Sequence, residues 1–420
     1  MSNVASTLDQ FLTPSQLRLA RLAGEESERV QADLFLVGGT VRDLFLGAAP
    51  HDLDLSFVGD PDDVPSRIAP ALDARIVARS QFGTFKLEIG KLDAEREVID
   101  VAMARRETYE HPGALPTVAP GSIDDDLARR DFSINAMAVG LTPAAWGELL
   151  DPFGGRDDVN SRVVRVLHAE SFVDDPTRIL RAVRYAARLG YRLDADTEGL
   201  IHRDLEYVRT LSGDRVRHEL ERIFREDRAM SVLELAQGLG VLRAIYPPLA
   251  LIDTIRDRLR EIHVEQTVEN DLVLLSALTG GVPGAELAGL IARLNMSARW
   301  AGVVRDTGSV RDAFQHLAAP GIRPSRLHAL LRKMDPAAIE GSILITDDPV
   351  VVESLGRFQS ELRAVETLLD GDDLLALGLE EGPLVGQLLD DLLAAKLDGQ
   401  LVTAEDEREF AIRRISGSDG

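Results

Sequence analysis

This 420-residue sequence contains no cysteine. Disulfides, thiol nucleophiles and thiolate metal sites are thereby excluded, which fits a cytoplasmic enzyme. No apolar run of about 18 residues occurs, so no transmembrane helix is expected. The opening stretch MSNVASTLDQFLTPSQ lacks a basic region followed by an apolar one and does not read as a signal peptide. Positive charge is also scarce, with 47 Lys and Arg against 70 Asp and Glu, a net charge of −23. That balance argues against a polyanion partner, because such binding relies on cationic side chains to displace counterions. A local basic surface can still serve. Residues 178–192 read RILRAVRYAARLGYR, with five arginines and no acid. The hydrophobic share of 45% and charged share of 28% are those of ordinary globular domains.

The residues that are present change texture along the chain. The first 30 read as helical, with Thr13-Pro14 marking a helix start. DLFLVGG is a short apolar run ending in two glycines, which predicts a buried strand and a sharp turn. VRDLFLG reads as a helix closed by Gly47, and DLDLSFV as a strand with one wet face. FGTFKLEIG and EREVIDVAMAR read as two further strands. Strands interleaved with helices predict an α/β head. Residues 107–123, ETYEHPGALPTVAPGSI, carry three prolines and two glycines and read as a long loop. From about residue 166 onward the periodicity is helical.

Four clusters carry candidate chemistry. Asp52 and Asp54, two apart on a strand, would share a face and repel each other, a repulsion that a hard divalent cation relieves. A solvated strand edge is the blander reading. Asp100, on another expected strand with Ile99 and Val101 facing away, offers a third carboxylate. Three such groups can hold two Mg²⁺ ions for phosphoryl transfer. Gly38 and Gly39 let a backbone approach a ligand, with Arg42 one turn into the next helix; a bare strand–helix turn is the alternative. The G-x-G-x-x-G spacing of dinucleotide-binding folds is absent. Arg129, Arg130 and Asp131 suit a triphosphate and ribose, or a surface helix with ion pairs such as Asp126–Arg129. Asp175 and Arg178, three apart, can accept from and donate to a base edge, or form an N-cap with an intrahelical ion pair.

GGTVRD, DLDLSF, FGTFK, IDVAMARRETY, DLARRDFSINAMA, DPFGG and DDPTRILRAVRYAARLGY, in that order, resemble the class II tRNA nucleotidyltransferase family, which includes CCA-adding, CC-adding and A-adding enzymes and bacterial poly(A) polymerases. The resemblance is strong over 33–230 and returns weakly over 369–399. It implies a polymerase-β-like α/β head (31–165) behind an N-terminal helical segment (1–30), then an all-α neck (166–230), body (231–365) and tRNA-binding tail (366–420). It implies metal ligation by Asp52, Asp54 and Asp100. It implies nucleotide contacts at Gly38, Gly39, Arg42, Arg129, Arg130, Asp131 and Arg181, and base pairing by Asp175 and Arg178. Asp174 stands where the family usually has Glu. None of the eight histidines forms the H-x-H…HD pattern of an appended phosphohydrolase domain, so that activity is not expected.

The implied reaction is CCA addition from CTP and ATP to a tRNA 3′ end with Mg²⁺. A-adding or poly(A)-adding activity is the nearest alternative. The long 107–123 segment, expected to move when specificity changes from C to A, argues against a CC-only enzyme. A small-molecule or protein nucleotidyltransferase on the same head, and a non-catalytic RNA-binding module, are the readings from other classes. The intact carboxylates count against the module.

Overall fold

The computed structural model describes residues 2–50, 52–80, 83–92, 95–252, 255 and 270–417. The chain forms two compact units, one of Met1–Glu219 with Glu234–Ile245 and one of Leu220–Leu233 with Tyr246–Gly420.

The first unit opens with helices α1 (Ala5–Phe11) and α2 (Pro14–Arg29). Thr13 and Gln16 cap α2 reciprocally, with Pro14 at the first helical position where its missing N–H costs nothing. Then follow β1 (Asp33–Val37), α3 (Gly39–Phe45), β2 (Asp54–Val58), α4 (Asp63–Ala71), β3 (Ala74–Arg79), β4 (Thr84–Leu92) and β5 (Glu95–Met103). After them come β6 (Arg105–Thr108), β7 (Thr117–Pro120), α5 (Ile123–Ala128), β8 (Ala138–Gly140) and β9 (Leu149–Leu150). Seven of these strands make one sheet in the order β3-β4-β5-β2-β1-β8-β9. Only β2 and β5 run parallel within it, and they set Asp54 opposite Asp100. On the other side of β5, Lys86 of β4 is the register partner of Asp100. Leu55, Phe57, Phe85, Leu87, Ile99 and Val101 are buried in this part of the sheet.

Two local expectations change. Asp52 lies ahead of β2, not on it. Thr40 of α3 donates to the Asp52 carbonyl and accepts from the Asp54 N–H, both at 3.1 Å, so a side chain holds this entry to the strand. Residues 107–123, expected as a loop, contain most of an antiparallel ribbon of β6 and β7, followed by the Ser122 cap of α5. Pro112 and Pro116 fall in its tip and Pro120 ends β7, where a missing N–H is tolerated.

Beyond residue 160 the unit is helical apart from β10 (Val163–Val164) and β11 (Arg192–Leu193), a short parallel pair. Helices α6 (Gly155–Ser161) and α8 (Thr177–Leu189) pack against that pair, and α7 (Ser171–Asp174) packs on α8 and on α9 (Ala195–Asp204). The described part of the second unit is helical. Asn270–Thr279, Ala298–Asp312 and Pro336–Leu344 pack around the buried hydroxyls of Ser276 and Thr307, 2.8 Å apart. Near the C-terminus, buried Glu407 accepts from the N–H groups of Leu368 and Leu369 and from Lys396. The helical expectation for 253–254 and 256–269 lies outside the described residues. Among the described residues no helix is long and apolar enough to cross a membrane.

Gly24 of α2 faces the Leu141 carbonyl so closely that a Cβ would strike it. Gly24→Ala should lower stability by roughly 1–3 kcal/mol through overpacking, read from the denaturation midpoint. An unchanged midpoint would mean that α2 can shift freely.

Candidate functional site

A cleft of about 420 Å³ opens on the first unit. One wall is the turn between β1 and α3. Gly38 there has φ +69°, and a Cβ on it would meet the Arg130 guanidinium. Glycine is therefore needed both for the backbone conformation and for the room it leaves. Gly38, Gly39, Asp54, Arg129, Arg130, Asp131, Asp175, Arg178 and Arg181 all line this one cleft. Arg42, Asp52 and Asp100 do not. Arg42 is 4% exposed and donates to Asp43 and, at 2.8 Å, to Asn135 Oδ1.

Asp54 opens to the cleft but is crowded by protein on its other sides. That crowding pushes its pKa up, Arg130 opposes the rise, Asp100 and Asp52 add to it, and Arg42 opposes. Asp54 thus senses both of the other carboxylates. The Lys86 ammonium lies 3.0 Å from Asp100 Oδ1. As these side chains stand, no three His, Cys, Asp or Glu groups among the described residues converge tightly enough to grip an ion. The donor set is oxygen only, and its mutual repulsion at Asp54 is what a hard divalent cation would relieve; in chemistry the residues fit such an ion.

The arginines are oriented from behind. Asp126, 1% exposed, takes Arg129 on Oδ1 at 2.6 and 2.9 Å and Arg130 on Oδ2 at 2.9 Å. Burial alone would raise its pKa, but Arg130 and Arg129 outweigh burial and hold it below the usual carboxylate range. Glu107 on the ribbon accepts from Arg105, Arg129 and the Tyr109 hydroxyl. Asp131 receives the Phe132 N–H and Asn135 on Oδ1 and Arg181 on Oδ2, so it serves here as the anchor of Arg181. Arg178 is the exception. It forms no ion pair among the described residues and donates to the Ser171 hydroxyl and the Arg129 carbonyl.

Asp175 and Arg178 do not pair with each other. Asp175 directly follows α7, and its Oδ1 accepts from the Thr177 N–H and hydroxyl at the start of α8. The same oxygen takes Arg215 at 2.6 Å, and Arg215 also donates to the Gly113 carbonyl in the ribbon tip. Its Oδ2 accepts no hydrogen bond among the described residues. Asp175 thus steadies the start of α8 through Thr177, but the N-cap position is Pro176 and no intrahelical Asp175–Arg178 ion pair forms. Asp126 enters the sequence reading only as the ion-pair partner of Arg129, a pair the structure contains, and Glu107, Asn135 and Arg215 carry no role there. Asp126, Glu107 and Asn135 lie in or beside quoted motifs, whereas Arg215 lies 40 residues beyond its partner in a stretch with no local signal.

Residues 34–165 match the poly A polymerase head domain, and residues 190–252 match a region described as the probable RNA and SrmB-binding site of polymerase A. An A-adding tRNA nucleotidyltransferase of Halalkalibacterium halodurans is 30% identical, covering 97% of this chain and 95% of its own length. The chain belongs to the tRNA nucleotidyltransferase family. An A-adding relative from Geobacter sulfurreducens is 33% identical over 98% of this chain, which spans about half, 48%, of that relative's length. A CC-adding relative from Deinococcus radiodurans is 29% identical over 96% of this chain and 93% of its own. Among solved structures, a CCA-adding enzyme in an apo form superposes with a TM-score of 0.84 at 26% identity, covering 98% of this chain and 99% of that one. The α/β head with a helical remainder is the architecture these relatives share.

Asp126→Ala should cost the head roughly 3–5 kcal/mol, because two arginines lose the buried charge they face. Asp126 has a lowered pKa, so its contribution is complete at neutral pH and is lost as pH falls through that value. Urea melts of wild type and variant that differ equally at neutral pH and below pH 3 would contradict this account.

Proposed function

We propose that this chain transfers AMP, and in its broader reading CMP as well, from nucleoside triphosphates to the 3′ end of tRNA. The observation that carries the reading is the convergence in one cleft of Asp54, the anchored Arg129, Arg130 and Arg181, and the separately held Asp175 and Arg178. Adenosine addition is common to A-adding and CCA-adding enzymes, and relatives of both kinds match nearly the whole chain. Full CCA addition, the expectation from the motifs, is the second reading, favoured by the TM-score with a CCA-adding enzyme.

In this reaction the tRNA 3′-hydroxyl gives up its proton to water, its oxygen forms a bond to the α-phosphorus, the bond from that phosphorus to the β-phosphate bridge breaks, and pyrophosphate leaves with its electron pair. Arg129, Arg130 and Arg181 meet the triphosphate as donors already oriented by Asp126, Glu107 and Asp131, so little reorganisation is left for the reaction itself. Asp175 Oδ2 remains as an acceptor and Arg178 as a donor. Cytosine and adenine each set an exocyclic amine beside a ring nitrogen acceptor, which suits that pair; guanine and uracil present the reverse pattern. Asp52, Asp54 and Asp100 would hold Mg²⁺, which when bound supplies charge neutralisation at the reacting phosphate.

With tRNA ending in CC, ATP should be incorporated; no incorporation would overturn the proposal. With tRNA ending before CC, incorporation of CTP selects the full-CCA reading and its absence the A-adding one. Asp54→Ala should lower incorporation by at least about 100-fold while leaving tRNA binding nearly unchanged. Without metal at neutral pH, Asp54→Asn should raise the melting temperature, because a crowded carboxylate with a raised pKa opposes folding once ionised. Mg²⁺ should then stabilise wild type more than Asp54→Asn. Equal Mg²⁺ shifts in both proteins would remove Asp54 from the metal assignment.

A further inference from the structure

Two aromatic rings line the cleft, Tyr109 and Tyr185. They differ in what already covers them. The Tyr185 ring has the guanidiniums of Arg184, Arg42 and Arg181 at 4.9, 5.6 and 5.6 Å from its centre and meets Phe132 edge-on at 5.8 Å. Its faces are committed to holding cations. The Tyr109 ring has no aromatic or cationic neighbour stacked on it among the described residues. Its hydroxyl donates to Glu107 at 2.9 Å, and Glu107 is itself held by Arg105 and Arg129. The phenol end is thus tethered, and the half-buried ring lines the cleft with no aromatic or cationic group on its face among the described residues.

Tyr109 also stands at the right end of the cleft. Its electrostatic neighbours include Arg178 and Asp175, the two side chains proposed to read the base edge. It sits just past β6, and Pro116, which also lines the cleft, closes the other arm of the ribbon tip. Hydrogen bonds to a base edge discriminate only if the base plane is fixed. An aromatic face fixes it without preferring one base, because every base has a π-face. Such a platform would serve cytosine and adenine alike and leave the choice to Asp175 and Arg178.

We propose that Tyr109 is the stacking platform for the base of the incoming nucleotide. This rests on the reading of the cleft as a nucleoside triphosphate site. The ribbon then contributes directly to nucleotide binding through a ring, in addition to the Glu107 contact that steadies Arg129.

The test is calorimetric titration of the full chain, without tRNA, using CTP, ATP and ribose 5-triphosphate, which lacks a base. Tyr109→Leu should weaken CTP and ATP by about tenfold or more, the scale of one base–aromatic stack, and leave ribose 5-triphosphate within about twofold. Unchanged binding of the base-free probe also shows that the variant is folded. Tyr109→Phe keeps the face and should restore most of the base-dependent affinity. The proposal is overturned if Tyr109→Leu weakens all three ligands alike, if it spares CTP and ATP, or if Tyr109→Phe is as impaired as Tyr109→Leu. Failure of the wild type to bind either CTP or ATP would instead bring down the nucleotide reading of the cleft, and this inference with it.

Discussion

The buried carboxylate of Asp126 decides how the cleft is built. Two arginines adjacent in sequence repel each other and would prefer separate paths into water. One carboxylate, 1% exposed and with each oxygen given to a different guanidinium, holds both facing the same way. Arg129 can then also reach Glu107 on the ribbon, and Arg130 can fill the space that Gly38 leaves empty. The Arg129 carbonyl in turn accepts from Arg178 on α8. Ribbon, glycine turn and helix α8 all meet at this pair, so the geometry of several separate chain segments is tied to one buried charge. Burying that charge is costly, and the cost is met only because both partners stay in place.

The same arrangement reconciles the proposed handling of polyanions with a net charge of −23. The cleft is lined by five arginines and four carboxylates, so its balance is opposite to that of the whole chain. Two of those carboxylates, Glu107 and Asp131, are spent on orienting arginines and do not face a ligand as free charges. Field strength at a site depends on the nearest charges and their surroundings, and remote exposed acids are screened within about 8–10 Å at ordinary ionic strength. The acidic remainder bears on solubility and disfavours non-specific polyanion binding elsewhere on the surface.

How much of this was legible in the sequence differs residue by residue. The head strands and the Gly38 turn follow from local rules: apolar runs, alternation and a required positive φ are all short-range properties. Asp54 and Asp100 could be paired as candidates because both read as strand residues, and the parallel register of β2 and β5 sets them side by side. Asp52 was misplaced onto the strand because the Thr40 side chain, twelve residues earlier, determines where β2 begins, and no periodicity reports a side-chain contact. The ribbon was hidden by its prolines, which mark turns on average but here occupy the tip and the end of β7. Arg42 carries the expected chemistry at the expected spacing, yet its guanidinium is held by Asp43 beside it and by Asn135, 93 residues away. Long-range partners of this kind, Arg215 with Asp175 among them, exist only once the chain has folded.

Lys86, Asp100 and Asp54 occupy successive strands at matching register, and this row states the electrostatic problem of the site most simply. Two carboxylates on neighbouring strands destabilise the sheet unless positive charge answers them. Lys86 answers Asp100 from the outer side. Asp54, on the inner side, has Arg130 and Arg42 within electrostatic reach, and these fall short of cancelling the effects of crowding and of Asp100 and Asp52, since its pKa stays raised. The residual demand for positive charge therefore lies on the cleft side of the row, where substrate phosphates would arrive. A protein selected for stability alone would replace one of these acids. With all three present, a hard divalent cation from solution would meet that demand, so the carboxylates fit a metal in chemistry although their side chains do not converge on one among the described residues.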